Sequence, residues 1–146
     1  MTATALIAED EPLLAQALQT ELSRAWPDLR VLATVGDGAS AVAQALSLHP
    51  DVLFLDIRMP VQSGLDAAAD LADAWPADRR FPALVFVTAY DEYAVQAFDA
   101  QAVDYLLKPV QPERLARTVQ RVQQVLAQRS PADVAAPLEH TLTQLR

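Results

Sequence analysis

Reactive side chains stand at the carboxyl ends of four of the five short apolar runs in this sequence. Three of them are acids, one is a threonine and one is a lysine, and they are Glu9, Asp10, Asp56, Thr88 and Lys108. Acids, a hydroxyl and an amine brought to one place can bind a metal ion and a small anion together. The pattern therefore predicts a polar functional site rather than a plain apolar core.

The acids of this set limit what the site can contain. Two carboxylates about 4 Å apart repel each other by about 4 kcal/mol at an effective dielectric near 20, and a domain is stable by only about 5 to 15 kcal/mol in total. Either one carboxyl group is protonated or a cation lies among them. Because oxygen ligands without histidine or cysteine suit Mg²⁺, we predict a magnesium site that includes Asp10 and Asp56. The alternative, solvated acids favoured by a helix dipole, suits Glu11 and to a lesser degree Glu9.

The lysine is the most specific member of the set. Lys108 is the only lysine among the 146 residues, whereas arginine occurs ten times. An ammonium group is compact and flexible, and it suits a small anion that a planar guanidinium group fits less well. We therefore predict that Lys108 contacts a bound anion. A lysine placed on the surface by chance is the alternative.

Alternating strands and helices are predicted to position these side chains. Five apolar runs, most of them continuous rather than alternating in polarity, predict strands covered on both faces, as in a parallel sheet. The runs are residues 5–8, 31–35, 52–55, 84–87 and 103–107. Segments with helical spacing separate them, and this alternation predicts an α/β fold with a doubly wound five-stranded parallel sheet. Sites in such folds lie at the carboxyl ends of the strands.

The first and last helices have the clearest start signals. Pro12 suits the first turn of a helix, and the apolar face that follows consists of Leu14, Leu18 and Leu22. The last helix is predicted to start near Pro112, and its apolar stripe consists of Leu115, Val119, Val122 and Leu126. Both helices are amphipathic and suited to packing on a sheet.

Composition excludes several classes of protein. The chain has 146 residues, 52% of them hydrophobic, which suits one domain with its own core. No apolar run approaches the roughly 20 residues of a membrane span, and the N-terminus lacks the pattern of a signal peptide, so we expect a cytoplasmic protein without membrane contact. The absence of cysteine excludes disulfides and thiolate zinc sites. A net charge of −8 argues against direct binding of nucleic acid.

The sequence changes character near its end. Residues 1–128 contain all five predicted strands, whereas residues 129–146 have two prolines and a weak apolar pattern. Leu138, Leu142 and Leu145 have the spacing of an amphipathic helix. We therefore expect one domain over residues 1–128, followed by a linker or the start of an incomplete connecting helix over residues 129–146. A frayed tail is the alternative.

Four motifs carry a resemblance to a known family. They are LIAEDEP, LFLDIRMP followed by Gly64, VFVTAYDEYAVQAF and AVDYLLKPV. In order and spacing they resemble the response-regulator receiver domains of two-component signalling, over about residues 3–128. The resemblance implies a (βα)₅ flavodoxin-like fold with strand order 2-1-3-4-5. It also implies a signalling domain rather than an enzyme, which accepts a phosphoryl group from a sensor histidine kinase.

The resemblance assigns roles to residues of this sequence. Asp56 is implied as the phosphorylation site. Asp10 is implied as a direct ligand of Mg²⁺, together with Asp56, the backbone carbonyl of Arg58, and Glu9 either directly or through water. Self-phosphorylation from small phosphodonors in the presence of Mg²⁺, and autodephosphorylation, are implied as well.

The remaining motif positions are implied to bind and sense the phosphoryl group. Thr88 and Lys108 bind its oxygens, and Tyr105 turns inward as the hydroxyl of Thr88 moves. This movement rearranges the face formed by the fourth helix, the fifth strand and the fifth helix. The bond between Lys108 and Pro109 is implied to be cis. We assign no role in the switch to three nearby aromatic residues, which are Tyr90, Tyr93 and Phe98. The resemblance does imply that Arg58 and Tyr90 occupy variable positions beside the site, which influence the lifetime of the phosphoryl group in this family.

The motifs also indicate partners. They resemble most closely the receivers that precede a LytTR DNA-binding domain, so we expect control of a LytTR-type output domain outside this sequence, which would supply any contact with DNA. The alternative is a stand-alone receiver that acts through protein contacts. The face described above is a common homodimer interface in the family. Charged residues there offer pairing partners, which are Asp91, Glu92 and Asp99 with Arg114, Arg117 and Arg121.

Two other classes of protein fit the sequence less well. Phosphotransferases of the haloacid dehalogenase type need a second aspartate two residues after the first, where this chain has Arg58. A flavodoxin would have a phosphate loop rich in Ser, Thr and Gly after the first strand, where this chain has the acidic EDEP. Both are therefore weaker interpretations than a receiver.

Overall fold

One sheet of five parallel strands forms the centre of the protein. The computed structural model describes residues 2–129. Its strands are β1 (Thr4–Ala8), β2 (Arg30–Val35), β3 (Val52–Leu55), β4 (Ala83–Thr88) and β5 (Asp104–Leu107). They lie in the order β2-β1-β3-β4-β5, and every neighbouring pair is parallel. The predicted fold class and strand order are confirmed.

Helices connect the strands. They are α1 (Pro12–Ala25), α2 (Gly38–Leu48), α3 (Gly64–Ala74), α4 (Ala94–Asp99) and α5 (Pro112–Gln128), with a short 3₁₀ turn (Asp91–Tyr93) before α4. Pro12 and Pro112 occupy the first turns of α1 and α5, where a missing amide proton leaves no helical bond unmade. Side chains of Asp37 and Ser63 cap α2 and α3 by accepting hydrogen bonds from backbone amides.

Two apolar cores lie on opposite faces of the sheet. Successive side chains of a strand point to opposite faces, so Phe54 joins the core under α1 and α5, while Leu53 and Leu55 join the core under α2, α3 and α4. All four residues of β3 are buried, as are all six of β4. The continuous apolar sequences of β3 and β4 thus correspond to strands that are covered on both faces.

The predicted elements differ from the observed ones at their edges. Strand β5 begins at Asp104 rather than Val103, and β4 extends one residue beyond the apolar run to Thr88. Strand β2 lies at the edge of the sheet and is partly exposed. On α1, Leu18 and Leu22 are buried as predicted, but Leu14 is 38% exposed and lines an open groove together with Leu13 and Val110.

Two further expectations concern the C-terminal segment and a possible membrane span. The linker or helix predicted for residues 129–146 lies, apart from Arg129, outside the residues that the structure describes. Within residues 2–129, no helix is both long enough and apolar enough to cross a membrane. The sheet, which runs from Thr4 to Leu107, and the helices around it position the site.

Candidate functional site

The carboxyl ends of four strands place the predicted site residues at one edge of the sheet. Ala8 pairs with Leu55 in register, and Thr88 pairs with Leu107, so residues that follow these strands emerge side by side. Backbone hydrogen bonds extend the alignment by one residue, because the amide of Asp56 donates to Ala8 at 2.9 Å. Backbone hydrogen bonds therefore continue the parallel pairing as far as Asp56 and Lys108.

Three carboxylates meet at this edge. Glu9, Asp10 and Asp56 each offer one oxygen, and these oxygens all lie within 4.8 Å of one another. Glu9 and Asp56 are buried, whereas Asp10 is exposed. Backbone amides fix two of the groups: Ile57 donates to Asp56 Oδ1 at 2.7 Å, and Glu11 donates to Glu9 Oε2 at 3.1 Å. The structure thus brings together the acids that the sequence predicted to meet.

Lys108 supplies a positive charge to two of these acids. Its Nζ donates to Asp56 Oδ2 at 2.8 Å and to Glu9 Oε1, and its side chain is mostly buried. Burial raises the pKa of Glu9, and the bond from Lys108 offsets this only in part. Burial acts to lower the pKa of Lys108, but the bonds to Asp56 and Glu9 outweigh it and raise that pKa. The lysine is therefore an ammonium at neutral pH.

The two predicted switch residues, Thr88 and Tyr105, both contact the backbone of Tyr90. Thr88 is fully buried at the end of β4, and its Oγ1 accepts a hydrogen bond from the amide of Tyr90 at 3.4 Å. The hydroxyl of Tyr105 donates to the backbone carbonyl of the same Tyr90. Tyr90 therefore connects β4 and β5 at the edge of the site.

Arg58 reaches across the site to the segment before α4. Its Nε donates to the hydroxyl of Tyr93 at 3.0 Å, and a terminal nitrogen donates to Glu92 at 3.2 Å. The guanidinium group also lies over the ring of Tyr90. The resemblance had placed Arg58 and Tyr90 beside the site, whereas the contact with Tyr93 was not predicted. Within residues 2–129, Glu92 thus pairs with Arg58 inside the chain.

The comparison with protein families now decides the assignment. The family described as Response regulator receiver domain matches residues 5–120. The chain belongs to this family. Receiver domains are signalling domains rather than classical enzymes, and the (βα)₅ architecture and the polar edge of the sheet agree with this assignment.

Relatives of the receiver are response regulators. An uncharacterised response regulatory protein of Vibrio cholerae serotype O1 is 44% identical over a match of 146 positions, which covers 99% of this chain and 54% of that protein. The transcriptional regulatory protein BtsR of Salmonella typhi is 42% identical over 130 residues, which are 89% of this chain and 51% of BtsR. The receiver therefore spans about half the length of these curated relatives.

Solved structures have the same fold. The response regulatory domain of mrkE from Klebsiella pneumoniae is similar with a TM-score of 0.78 at 29% identity, covering 86% of this chain and 99% of that one. The REC domain of AraT, a response regulator from Geobacillus stearothermophilus, is similar with a TM-score of 0.78 at 34% identity, covering 88% of this chain and 98% of that one. The receiver fold thus extends over most of the sequence.

The acidic pocket of the receiver fits a hard divalent cation. Its donors are carboxylate oxygens from Glu9, Asp10 and Asp56, close enough together to share one ion. Oxygen ligands of this kind suit Mg²⁺, which keeps some of its waters and takes phosphate oxygens to complete its shell. The exposed position of Asp10 leaves one side of the pocket open to solvent, as such a partly hydrated ion requires.

Asp104 forms a second polar cluster, which the sequence did not predict. Asp104 is buried and accepts two hydrogen bonds from Arg114, at 2.6 and 2.8 Å, and one from Thr118 at 2.7 Å. Arg121 lies 3.4 Å from the same carboxylate. Two of the arginines proposed to pair across a dimer therefore pair with Asp104 inside the chain. These bonds outweigh burial and lower the pKa of Asp104 to about 2.

Proposed function

We propose that this receiver accepts a phosphoryl group on Asp56 from a sensor histidine kinase. The observation that carries the proposal is the buried carboxylate of Asp56 at the end of β3, which accepts a bond from the ammonium of Lys108 and lies beside two further acids. A buried carboxylate alone is an unfavourable arrangement. The arrangement is explained if Asp56 accepts a charged phosphoryl group, because the ammonium of Lys108 and a cation held by the acids would stabilise that group.

The chemistry assigns a task to each side chain. The bond from Ile57 orients one oxygen of Asp56, and an oxygen of this carboxylate forms the new bond to phosphorus as the bond to the donor breaks. Lys108 is close enough to follow the negative charge from the carboxylate to the phosphoryl oxygens, and we assign Thr88 the same task. Preorganised charges of this kind are the main means by which proteins assist phosphoryl transfer.

We assign the metal to the acidic pocket. Asp10, Asp56 and the backbone carbonyl of Arg58 would hold Mg²⁺, with Glu9 as a further ligand directly or through water. When bound, Mg²⁺ neutralises charge that develops on the phosphoryl oxygens. Glu9 is bonded to Lys108 in this structure, so its carboxylate is shared between the lysine and the metal site.

The output is proposed to follow the switch residues. Loss of the bond between Thr88 and Tyr90, as the threonine hydroxyl turns to a phosphoryl group, would release Tyr105 from the same segment. The face of α4, β5 and α5 would then rearrange and serve as the contact for a partner or a second copy. A local change of charge that biases a two-state element is a common means of switching.

We propose that residues 1–128 are the receiver and that residues 129–146 lead to a LytTR-type DNA-binding domain. The support is the length of the relatives, about twice that of this chain, and the name of BtsR as a transcriptional regulatory protein. A cytoplasmic location belongs to the same proposal. The alternative is a stand-alone receiver. Sequencing the gene beyond the codon for Arg146 separates the two, because a stop codon there would contradict the first.

The phosphorylation site is tested with a small phosphodonor. The 146-residue chain is incubated with acetyl phosphate and Mg²⁺. We expect one added phosphoryl group by intact mass, its loss over time by autodephosphorylation, and no addition in EDTA.

Variants locate the site of the added group. Asp56→Asn should abolish the addition, whereas Asp66→Asn, at an exposed position of α3, should not. Lys108→Arg should slow it about tenfold or more, since a guanidinium group does not fit the space of the ammonium. Unchanged labelling of Asp56→Asn would contradict the site.

A further inference from the structure

Arg58 makes contacts that the proposed function does not use. Its guanidinium carbon lies 3.9 Å from the centre of the Tyr90 ring and 5.7 Å from that of the Tyr93 ring. Its nitrogens also donate to the hydroxyl of Tyr93 and to Glu92. Four contacts from one side chain thus converge on residues 90–93. We call Arg58, Tyr90, Glu92 and Tyr93 the arginine clasp.

The geometry of the clasp suits a cation. The rings of Tyr90 and Tyr93 stand at 86° to each other with their centres 6.3 Å apart, so they form a corner around the guanidinium group. The face of a tyrosine ring is electron-rich and attracts cations. The hydrogen bond with the Tyr93 hydroxyl raises the pKa of Arg58 further. The clasp therefore holds a permanent cation between two rings.

The clasp joins two loops of the site. Arg58 lies two residues beyond Asp56 in the connection between β3 and α3, and its partners lie in the segment between β4 and α4. The backbone of Tyr90 donates to Thr88 and accepts from Tyr105. Tyr90 is therefore bonded through its backbone to both predicted switch residues, and through its ring to Arg58.

We propose that Arg58 is a positioning residue of the receiver switch, whose guanidinium group holds Tyr90 and the 3₁₀ turn in the resting arrangement and opposes the change that phosphorylation imposes. The inference rests on the proposed function, because it concerns the same switch. When Thr88 turns toward a phosphoryl group, the amide of Tyr90 loses its acceptor, and the segment can move only if the ring of Tyr90 leaves the guanidinium group. A contact made in one of two states shifts the equilibrium toward that state.

The first test measures binding of beryllofluoride, a phosphoryl analogue, with Mg²⁺ present. Arg58→Met retains the backbone carbonyl and most of the side-chain length but removes the cation, and Arg58→Lys retains the charge but loses the planar group. We expect Arg58→Met to reach half-saturation at a concentration about threefold to tenfold lower than the unmodified chain, since a cation–ring contact and an exposed ion pair are each weak, and we expect a shift in the same direction for Arg58→Lys. Half-saturation of Arg58→Met at the concentration of the unmodified chain would overturn the proposal.

The second test needs no phosphoryl analogue. Amide hydrogen exchange across residues 91–97 should be at least about threefold faster in Arg58→Met and Arg58→Lys, because the turn has lost its attachment. Tyr93→Phe, which removes one acceptor and keeps the ring, should show a smaller increase. The matched control is Arg79→Met, an exposed arginine in the connection between α3 and β4 at the opposite edge of the sheet, and it should leave binding and exchange unchanged.

The two tests separate the failure of the clasp from the failure of the proposed function. Unchanged exchange in both Arg58 variants, or weaker binding of beryllofluoride by either, would overturn the role of the clasp. If the unmodified chain bound no beryllofluoride, the proposed function would be overturned, and with it the coupling to a switch. The exchange data would still decide whether Arg58 holds the 3₁₀ turn.

Discussion

Gly64 leaves no space for a side chain beside the proposed phosphorylation site. A Cβ atom at this position would overlap the carbonyl oxygen of Asp56 and lie 2.9 Å from its carbonyl carbon. The amide of Gly64 donates to Ile57 at 2.8 Å, so α3 begins directly against the backbone that presents the aspartate. Gly64 is therefore required because two backbone segments approach each other closely here. This contact explains why a glycine follows the LFLDIRMP motif.

Gly64→Ala is expected to destabilise the receiver by about 1 to 3 kcal/mol, the usual effect of overpacking, and to slow phosphorylation by displacing Asp56. Urea unfolding and labelling with acetyl phosphate measure the two effects. Gly36→Ala is the control, because a Cβ atom there meets its nearest neighbour at 3.8 Å. Equal stability of the two variants would show that the loop yields without strain.

Val61 holds backbone strain at the surface of the same loop. Its φ angle is +69°, in the left-handed region that β-branched residues rarely adopt, and its side chain is 85% exposed. An apolar side chain in this position contributes little to the core. The strain is therefore not offset by burial of the residue itself.

Val61→Asn is expected to raise the free energy of unfolding by about 1 kcal/mol, because asparagine tolerates this backbone region and left-handed strain is typically about 1 to 3 kcal/mol. Urea unfolding at neutral pH measures the gain. The control is Val95→Asn, an equally apolar and exposed valine in α4, where no gain is expected. A gain of the same size in α4 would indicate an effect of composition rather than of backbone strain.

Strand β5 and helix α5 are joined by a buried ion pair. Asp104 is the first residue of β5, and Arg114 and Thr118 lie one turn apart on α5. A buried aspartate without a partner would be strongly unfavourable, so the two elements are held to each other by charge as well as by apolar packing. Movement of the proposed output face must therefore carry β5 and the start of α5 together.

The pair predicts a loss of stability in acid. The pKa of Asp104 is about 2 in the folded protein against 3.8 for an unperturbed aspartate, so its contribution is complete above pH 3.8 and is lost as the pH falls through 2. The shift corresponds to about 2 kcal/mol. Asp104→Asn should lower the stability by about this amount at pH 7 and should remove this part of the acid dependence. Urea unfolding between pH 2 and 7 measures both, with the exposed Asp78→Asn as control. A parallel pH profile in Asp104→Asn would contradict the assignment.

An exposed apolar surface lies on α4 and β5, within the face that is proposed as a contact for a partner or a second copy. Val95, Phe98 and Leu107 are 70%, 81% and 48% exposed. Arg114 and Arg121 already pair with Asp104 inside the chain. Apolar contact is therefore expected to contribute more to a dimer through this face than ion pairs between these arginines and acids of a second copy. A dimer on this surface would bury side chains that the monomer leaves in water.

Sedimentation of the 146-residue chain tests this dimer. We expect self-association to strengthen at least tenfold with beryllofluoride and Mg²⁺, and Phe98→Asp to abolish the increase, because it places a charge in an apolar contact. Leu13→Asp is the control, since Leu13 is 80% exposed on α1, away from this face. A monomer under both conditions would contradict the proposed interface.

The sequence predicted most of the fold and the polar edge of the sheet, for a physical reason. Continuous apolar runs specify buried parallel strands, and the residues that follow parallel strands emerge at one edge, so Asp56 and Lys108 could be placed together without a structure. The contacts of the arginine clasp could not be placed, because Arg58 and Tyr93 lie in the connections between strands and α-helices, where no regular period of the sequence specifies the backbone. Asp104 did carry a signal, since an acid within an apolar strand requires a partner.

The contact of Lys108 with Glu9 and Asp56 also has a consequence for folding. The bonded residues are 99 and 52 positions apart in the chain, and strands β1, β3, β4 and β5 must all be in register before they meet. Contacts between such distant residues form late, after the loops between them have closed. During synthesis, the acidic pocket gains its lysine only after residue 108 has been added and the last strand has docked. A nascent or misfolded chain therefore lacks the complete site, and the proposed acceptance of a phosphoryl group would require a receiver that has finished folding.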